Sequence, residues 1–248
     1  MSAHLYEHHL PDERQLAQAL AQDIAQRLAN AVAERGHGML AVSGGKSPVA
    51  LFQALATQPL LVEVWPHLTV LLVDERCVPP SHADSNGRLV QEHLLQGPAA
   101  AAHWVPLVNG ELGHQTAAQA SMDVQRLRLV AEARLAPLPW PLDVAVLGMG
   151  LDAHTASFFP GAPGLGEALG TQARCAWVQP DPDLNKAQHA RITLSLSTLL
   201  GARHLCLPLS GAAKQAVYAT ARQQATAQLP VSLVLCQHQA PVAVWLSP

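Results

Sequence analysis

The sequence predicts an α/β fold: three layers, with a mostly parallel sheet covered by helices on both faces. Two observations carry this. Unbroken apolar runs of strand length alternate with helix-length segments, the pattern of strands buried on both sides. Polar clusters, several marked by glycine, directly follow four of the predicted strands, and α/β sheets place their ligand sites beyond strand carboxyl ends. A third observation bounds the result. The chain has 248 residues and is 49% hydrophobic, enough to bury a large core. No Gly/Ser-rich or charged linker divides it, so a single domain spanning residues 1–248 is expected.

The elements follow in order. Asp12 to Arg35 reads as a helix because Leu16, Leu20, Ile24, Leu28 and Val32 recur every four residues and Gly36 follows as a stop. Gly38 to Val42 is a short apolar strand. Ser47-Pro48 opens a helix, with serine as the cap and proline at the first helical position. Leu68 to Val73 is a continuous apolar strand, and Ser85 to Leu95 is helical. Thr116 to Leu135 is a long helix closed by Pro137, Pro139 and Pro141. Leu142 to Leu147 is another buried strand, and Ile192 to Leu196 and His204 to Leu209 read as further strands. Ala212 to Gln228 is a helix, and Val231 to Cys236 and Val242 to Leu246 close the chain as strands.

Composition removes several classes of function. Charged residues make up 13% of the chain, about half the usual ~25%, so the chain is too apolar for disorder. Fifteen basic against eighteen acidic residues give a net charge of −3, which excludes a nucleic-acid binder relying on a basic face. No repeat suggests a solenoid or coiled coil, and no run could cross a membrane. Met1 to Pro11 has no apolar segment and is not a signal peptide. Cys77, Cys175, Cys206 and Cys236 form no CxxC pair, which fits buried or idle thiols in a reducing cytoplasm. Thirteen histidines raise the question of metal, but without HExxH or a zinc-type spacing no metal is expected.

The polar clusters carry the chemistry. Ser43-Gly44-Gly45-Lys46-Ser47 joins a strand to a helix, and its glycines let several N–H groups point at one anion. A phosphate suits it, although an ordinary βα turn would look alike. It is not a nucleotide P-loop, because the first glycine position of that motif holds Leu40. Asp74-Glu75-Arg76 ends a buried strand, where a carboxylate either pairs, as Asp74 with Arg76, or does chemistry. Asp84-Ser85-Asn86 reads as a helix cap.

Leu147-Gly148-Met149-Gly150-Leu151-Asp152-Ala153-His154-Thr155-Ala156-Ser157 is the most specific segment. In an extended loop its two-residue spacing sets Asp152 and His154 on one face, and a carboxylate beside an imidazole can orient a general base. No G-x-S-x-G elbow supports a nucleophilic serine. Lys214, in the first turn of a helix after Ser210-Gly211, opposes the helix dipole unless an anion sits there, solvent exposure being the plainer reading. Arg191 enters a strand, as an anion ligand or as an edge charge.

Taken in order, these motifs resemble the glucosamine-6-phosphate isomerase/6-phosphogluconolactonase family. The likeness spans nearly the whole chain, from Ser43-Gly44-Gly45 through Val73-Asp74-Glu75-Arg76, Asp84-Ser85-Asn86 and Leu147-Gly148-Met149-Gly150. It continues in His154-Thr155-Ala156-Ser157-Phe158-Phe159-Pro160-Gly161, Arg191-Ile192-Thr193-Leu194 and Gly211 to Lys214. Arg76 and the Phe158-Phe159-Pro160 run resemble the lactonase branch; the deaminase branch has tyrosine after its Asp-Glu and an Asn-Glu-Pro stretch. Ala153 replaces a glycine common in the family, implying an ordinary φ there, and Ser197 replaces a common proline.

The resemblance implies a three-layer Rossmann-like domain that hydrolyses 6-phospho-D-glucono-1,5-lactone to 6-phospho-D-gluconate, the second step of the oxidative pentose phosphate pathway. It implies His154 as general base, Asp152 as its partner, Arg76 as the oxyanion donor, and Asp74 as a ligand of sugar hydroxyls or an orienter of Arg76. Ser43, Gly44, Gly45, Lys46, Ser47, Asn86, Gly150, Arg191 and Lys214 would bind the substrate and its phosphate. No cofactor or metal is implied. A cytoplasmic monomer or homodimer is expected, meeting one small phosphorylated lactone and neither nucleic acid nor membrane. Two alternatives stand beside this reading: a glucosamine-6-phosphate deaminase/isomerase, and a non-catalytic sugar-phosphate-binding module. Such a module usually carries a helix-turn-helix, for which the residues before Ser43 leave too little room.

Overall fold

A computed structural model describes residues 4–45, 47–110, 117–185 and 187–248. Lys46, Lys186 and Thr116, the first residue of a predicted helix, lie outside the described residues. The first half of the chain contains β1 (Leu5–His9), α1 (Glu13–Arg35), β2 (Gly38–Val42), α2 (Val49–Ala56), β3 (Leu68–Leu72), β4 (Asp74–Arg76), α3 (Asn86–His93), β5 (His103–Val105) and α4 (Ala117–Leu135). The second half contains β6 (Val144–Val146), α5 (Leu165–Gly170), β7 (Cys175–Val178), α6 (Pro182–Asn185), β8 (Arg191–Leu194), α7 (Leu196–Leu200), β9 (Leu205–Ser210), α8 (Ala212–Ala221), α9 (Ser232–Leu235) and β10 (Val242–Ser247).

Seven strands form one sheet in the order β1-β10-β9-β6-β2-β3-β5, with every pairing parallel. Its central strands β2 and β6 are buried at every position, as their uninterrupted apolar sequences require. α1 shows how the pattern becomes packing. Leu16, Leu20, Ile24 and Leu28 are buried, but a four-residue step advances 40° beyond a full helical turn, so Val32 drifts to the rim of that face. Asp12 caps the helix, its side chain accepting from the Gln15 N–H at 2.7 Å, and Gly36 ends it at φ 75°.

Three differences from the sequence reading matter. First, the predicted strand Ile192 to Leu196 is β8 and lies in a second sheet of order β4-β8-β7, with antiparallel pairing. Second, Val231 to Cys236 is not a strand but contains the short helix α9. A six-residue apolar run does not tell a strand from a buried helical turn, and here the Ser232 Oγ closes a turn by accepting from the Thr226 N–H at 2.8 Å. Third, the helix predicted over Ala212 to Gln228 ends at Ala221. The strands β1, β5 and β7 were not foreseen: β1 is an exposed edge with no alternation, and β5 and β7 are only three and four residues long.

The two sheets meet at one residue. The Val73 N–H donates to the Val42 carbonyl at 2.9 Å, continuing the main sheet, while the Val73 carbonyl accepts from the Leu194 N–H of the second sheet at 2.8 Å. Among the described residues no helix is long and apolar enough to cross a membrane.

Candidate active site

Strand order reverses between β2 and β6. The chain runs outward from β2 to β3 and β5, then returns to β6 on the other flank and continues to β9 and β10. The loops leaving β2 and β6 therefore part company and leave a crevice above the strand ends. These are the Ser43-Gly44-Gly45 and Gly148-Met149-Gly150 loops, tied together where the Ser43 N–H donates to the Val146 carbonyl at 3.0 Å. The crevice is a cavity of about 520 Å³, within the range of small-molecule sites. Its lining brings together Ser43, Gly44, Gly45, Ser47, Asp74, Arg76, Asn86, Gly150, His154, Arg191 and Lys214, residues predicted from segments far apart in the chain. Asp152 stands behind His154 and reaches the cavity through it.

The wall from the main sheet is built largely of backbone. Gly44 must lack a side chain: a Cβ there would lie 1.8 Å from Asn86 Oδ1. Gly45 holds φ 90°, a conformation glycine takes without strain. Ser47 does not cap α2 as predicted, because Pro48 occupies the cap position and makes no side-chain bond. The Ser47 Oγ instead accepts from Lys214 Nζ at 3.4 Å. Lys214 lies in the first turn of α8, behind Gly211 at φ 91°, so one ammonium and the start of a ten-residue helix face the glycine loop.

The opposite wall is built of side chains. The His154 Nδ1 lies 2.6 Å from Asp152 Oδ1. An ionised carboxylate only accepts, so Nδ1 carries the proton, and in the neutral ring Nε2 is left with its lone pair. Burial works to raise the Asp152 carboxyl, but the hydrogen bond and charge of His154 outweigh it and leave the group below the usual aspartate range. The Phe159 ring packs against His154 at 4.4 Å between centroids. Gly150 clears the space, since a Cβ there would lie 2.3 Å from the imidazole and 2.5 Å from the carboxylate.

This loop is not extended, and Ala153 does not keep an ordinary φ. Ala153 sits at φ 61°, and its N–H donates to the Gly150 carbonyl at 3.1 Å. A tight left-handed turn, not strand alternation, brings Asp152 to His154. The family's usual glycine would adopt it freely, whereas alanine is held by burial and by the Val231 N–H, which donates to the Ala153 carbonyl at 2.9 Å. The unforeseen helix α9 thus supports the histidine loop.

Arg76 does not pair with Asp74 in the way the sequence allowed. Its Nη1 donates to Asn86 Oδ1 at 2.5 Å and to the Asp84 carbonyl at 2.9 Å, fixing one arm of the guanidinium. Asp74 Oδ2 accepts from the Ser157 Oγ at 2.7 Å. Asn86 is a bracket more than a ligand: it is buried, its Nδ2 donates to the Asp74 carbonyl at 2.9 Å, and it packs over Gly44. Glu75, which the sequence reading left without a role, accepts from the N–H groups of Asn86 at 2.8 Å and Gly87 at 2.6 Å. Burial raises its carboxyl above the usual range, and these N–H groups partly restrain the shift. Arg191 pairs with Arg76 in the register of β8 and β4. It is buried with no hydrogen-bond partner at Nε, and burial lowers its pKa while Asp74 opposes that shift. Two guanidinium groups converging beside one cavity suit an anionic guest.

Ser157, Phe159 and His189 also shape the site without having been assigned. Ser157 and Phe159 lay inside the recognised motif; His189 had no sequence signal, and its Nε2 lies 2.9 Å from Asp84 Oδ2 across two loops.

Known proteins place the chain in one family. The family described as glucosamine-6-phosphate isomerases/6-phosphogluconolactonase matches residues 11–245. A 6-phosphogluconolactonase of Rhizobium meliloti (strain 1021) is 39% identical over 249 residues, the whole of both chains. One from Pseudomonas aeruginosa is 43% identical over 204 residues, 81% of this chain and 78% of that one. The crystal structure of a 6-phosphogluconolactonase from Shewanella baltica superposes with a TM-score of 0.86 at 38% identity, covering 100% of both chains.

Proposed function

The chain belongs to the glucosamine-6-phosphate isomerase/6-phosphogluconolactonase family, and from that premise we propose that it hydrolyses 6-phospho-D-glucono-1,5-lactone to 6-phospho-D-gluconate, the second step of the oxidative pentose phosphate pathway. The observation that carries the reading is the His154–Asp152 pair, 2.6 Å apart, on the wall of a cavity that also holds the Gly44-Gly45 loop and Lys214.

A lactone is an activated ester, so water needs only a base and a place for the negative charge to develop. The free Nε2 of His154 takes a proton from water as the oxygen attacks the ring carbonyl. Asp152 orients the imidazole and stabilises the imidazolium that forms. The uncommitted arm of Arg76 faces the developing oxyanion, a contribution on the order of 3 kcal/mol for a well-placed donor. The carbonyl reforms, the ring C–O bond breaks, and the imidazolium returns its proton to the departing ring oxygen. Asp74, held by Ser157, accepts from sugar hydroxyls.

Gly44, Gly45, Lys46, Ser47 and Lys214 hold the phosphate, and Arg191 completes its charge balance. That remote anchor positions the carbonyl against His154. In this reading the whole chain acts as one cytoplasmic unit. The test is 6-phosphogluconolactone hydrolysis above its spontaneous background, with glucosamine 6-phosphate as the competing substrate. Ammonia release from the latter, without lactone turnover, would overturn the proposal.

A further inference from the structure

At the cavity edge a side-chain cluster lies outside the machinery just described. His82 and Asp84 belong to the loop between β4 and α3, and His189 to the segment before β8. His189 Nε2 is 2.9 Å from Asp84 Oδ2, His82 Nδ1 is 3.8 Å from the same oxygen, and all three ligand atoms lie within 4.8 Å of one another. Asp84 and His189 also line the cavity.

We propose that His82, Asp84 and His189 form a binding site for one divalent transition-metal ion, held through His82 Nδ1, Asp84 Oδ2 and His189 Nε2. Metal–ligand bonds of about 2.0–2.1 Å in a tetrahedral site separate the donors by roughly 3.4 Å. The two separations to Asp84 Oδ2, 2.9 and 3.8 Å, bracket that value. The His82 Nδ1 accepts from the Asp84 N–H at 3.1 Å, so it presents its acceptor lone pair in the loop, and an ion would take that lone pair in exchange for this bond.

The loop that carries two of the ligands is itself braced. The His82 N–H donates to the Pro79 carbonyl at 2.9 Å and the Ser85 N–H to the His82 carbonyl at 3.0 Å. Arg76 and Arg88 donate to the carbonyls of Asp84 and Ser81 at 2.9 and 3.2 Å. Two imidazoles and one carboxylate favour zinc, cobalt, nickel or copper over magnesium or calcium, which prefer all-oxygen shells. A bound ion would replace the single His189–Asp84 hydrogen bond with bonds that join the two segments.

The probe is Co²⁺ alone, titrated into the tag-free full chain and followed by calorimetry and visible absorption. One saturable equivalent per chain with ligand-field bands is expected, unaffected by excess Mg²⁺. His189→Ala and Asp84→Asn should each weaken binding by at least about tenfold, the loss that follows removal of even an outer-shell partner. His8→Ala, on the distant edge strand, should leave the isotherm unchanged. His82→Ala, whose side chain is 43% exposed, serves if His189→Ala does not fold. An identical Co²⁺ isotherm and spectrum in His189→Ala or His82→Ala and in the parent would overturn the site. The measurement reads binding only, so it stands or falls separately from lactone hydrolysis.

Discussion

The two walls of the cavity solve different problems with different materials. In the proposed reading the glycine-loop wall binds through backbone: Gly44 and Gly45 are defined by what they lack, and among the described residues Lys214 and Ser47 meet beside them. In the same reading the opposite wall works through His154, Arg76 and Asp74, each held by a second residue: Asp152, Asn86 and Ser157. A phosphate has fixed charge and shape and is matched by a rigid cradle. A reacting carbonyl changes charge during the reaction and needs groups that gain and lose protons.

That contrast can be broken at several points. Removing the base should have the largest effect: His154→Ala should lower kcat by about 10²- to 10⁴-fold with little change in KM, measured above the spontaneous background. A variant near wild-type turnover would move the base elsewhere. Next is Gly44→Ala, whose Cβ meets Asn86 at 1.8 Å. Overpacking of this kind destabilises by about 1–3 kcal/mol, readable as a lower urea midpoint, and adding Asn86→Ala should recover part of it.

Lys214→Ala should raise KM about tenfold, the low end for a hydrogen bond to a charged group, because the side chain is open to solvent, with kcat nearly unchanged. A change confined to kcat would mean that the two walls do not divide their work in this way.

The smallest effect is one of pH. The Asp152 carboxyl is held below the ordinary aspartate value of 3.8 in the folded chain. The stability it adds is therefore fully present above that value and is lost as pH falls through the lower folded one. The stability margin of the parent over Asp152→Asn, from urea unfolding, should shrink on that acid side. A margin that widens there would reverse the sign of the coupling.

Much of this was legible in the sequence, for physical reasons. Buried parallel strands such as β2 and β6 are apolar throughout, and a loop that receives an anion must be short of side chains. Ala153 shows the limit: its left-handed turn is imposed by burial and by Val231, neither visible locally. The role of Asn86 was hidden because a helix-start asparagine looks the same whether it caps, binds or braces. β8 looked like another main-sheet strand because burial, not sheet membership, decides its composition. His82, Asp84 and His189 meet across more than a hundred residues, and no local spacing records that.

Val73 gives the two walls a common gauge. It is hydrogen-bonded to Val42, one residue before the glycine loop, and to Leu194, the end of the strand that carries Arg191, and it precedes Asp74. The span from the glycine loop to Asp74 and Arg191 is thus measured in main-chain bonds, which side-chain rotation cannot lengthen. In the proposed reading, part of the selection for the number of carbons between phosphate and carbonyl then resides in the backbone.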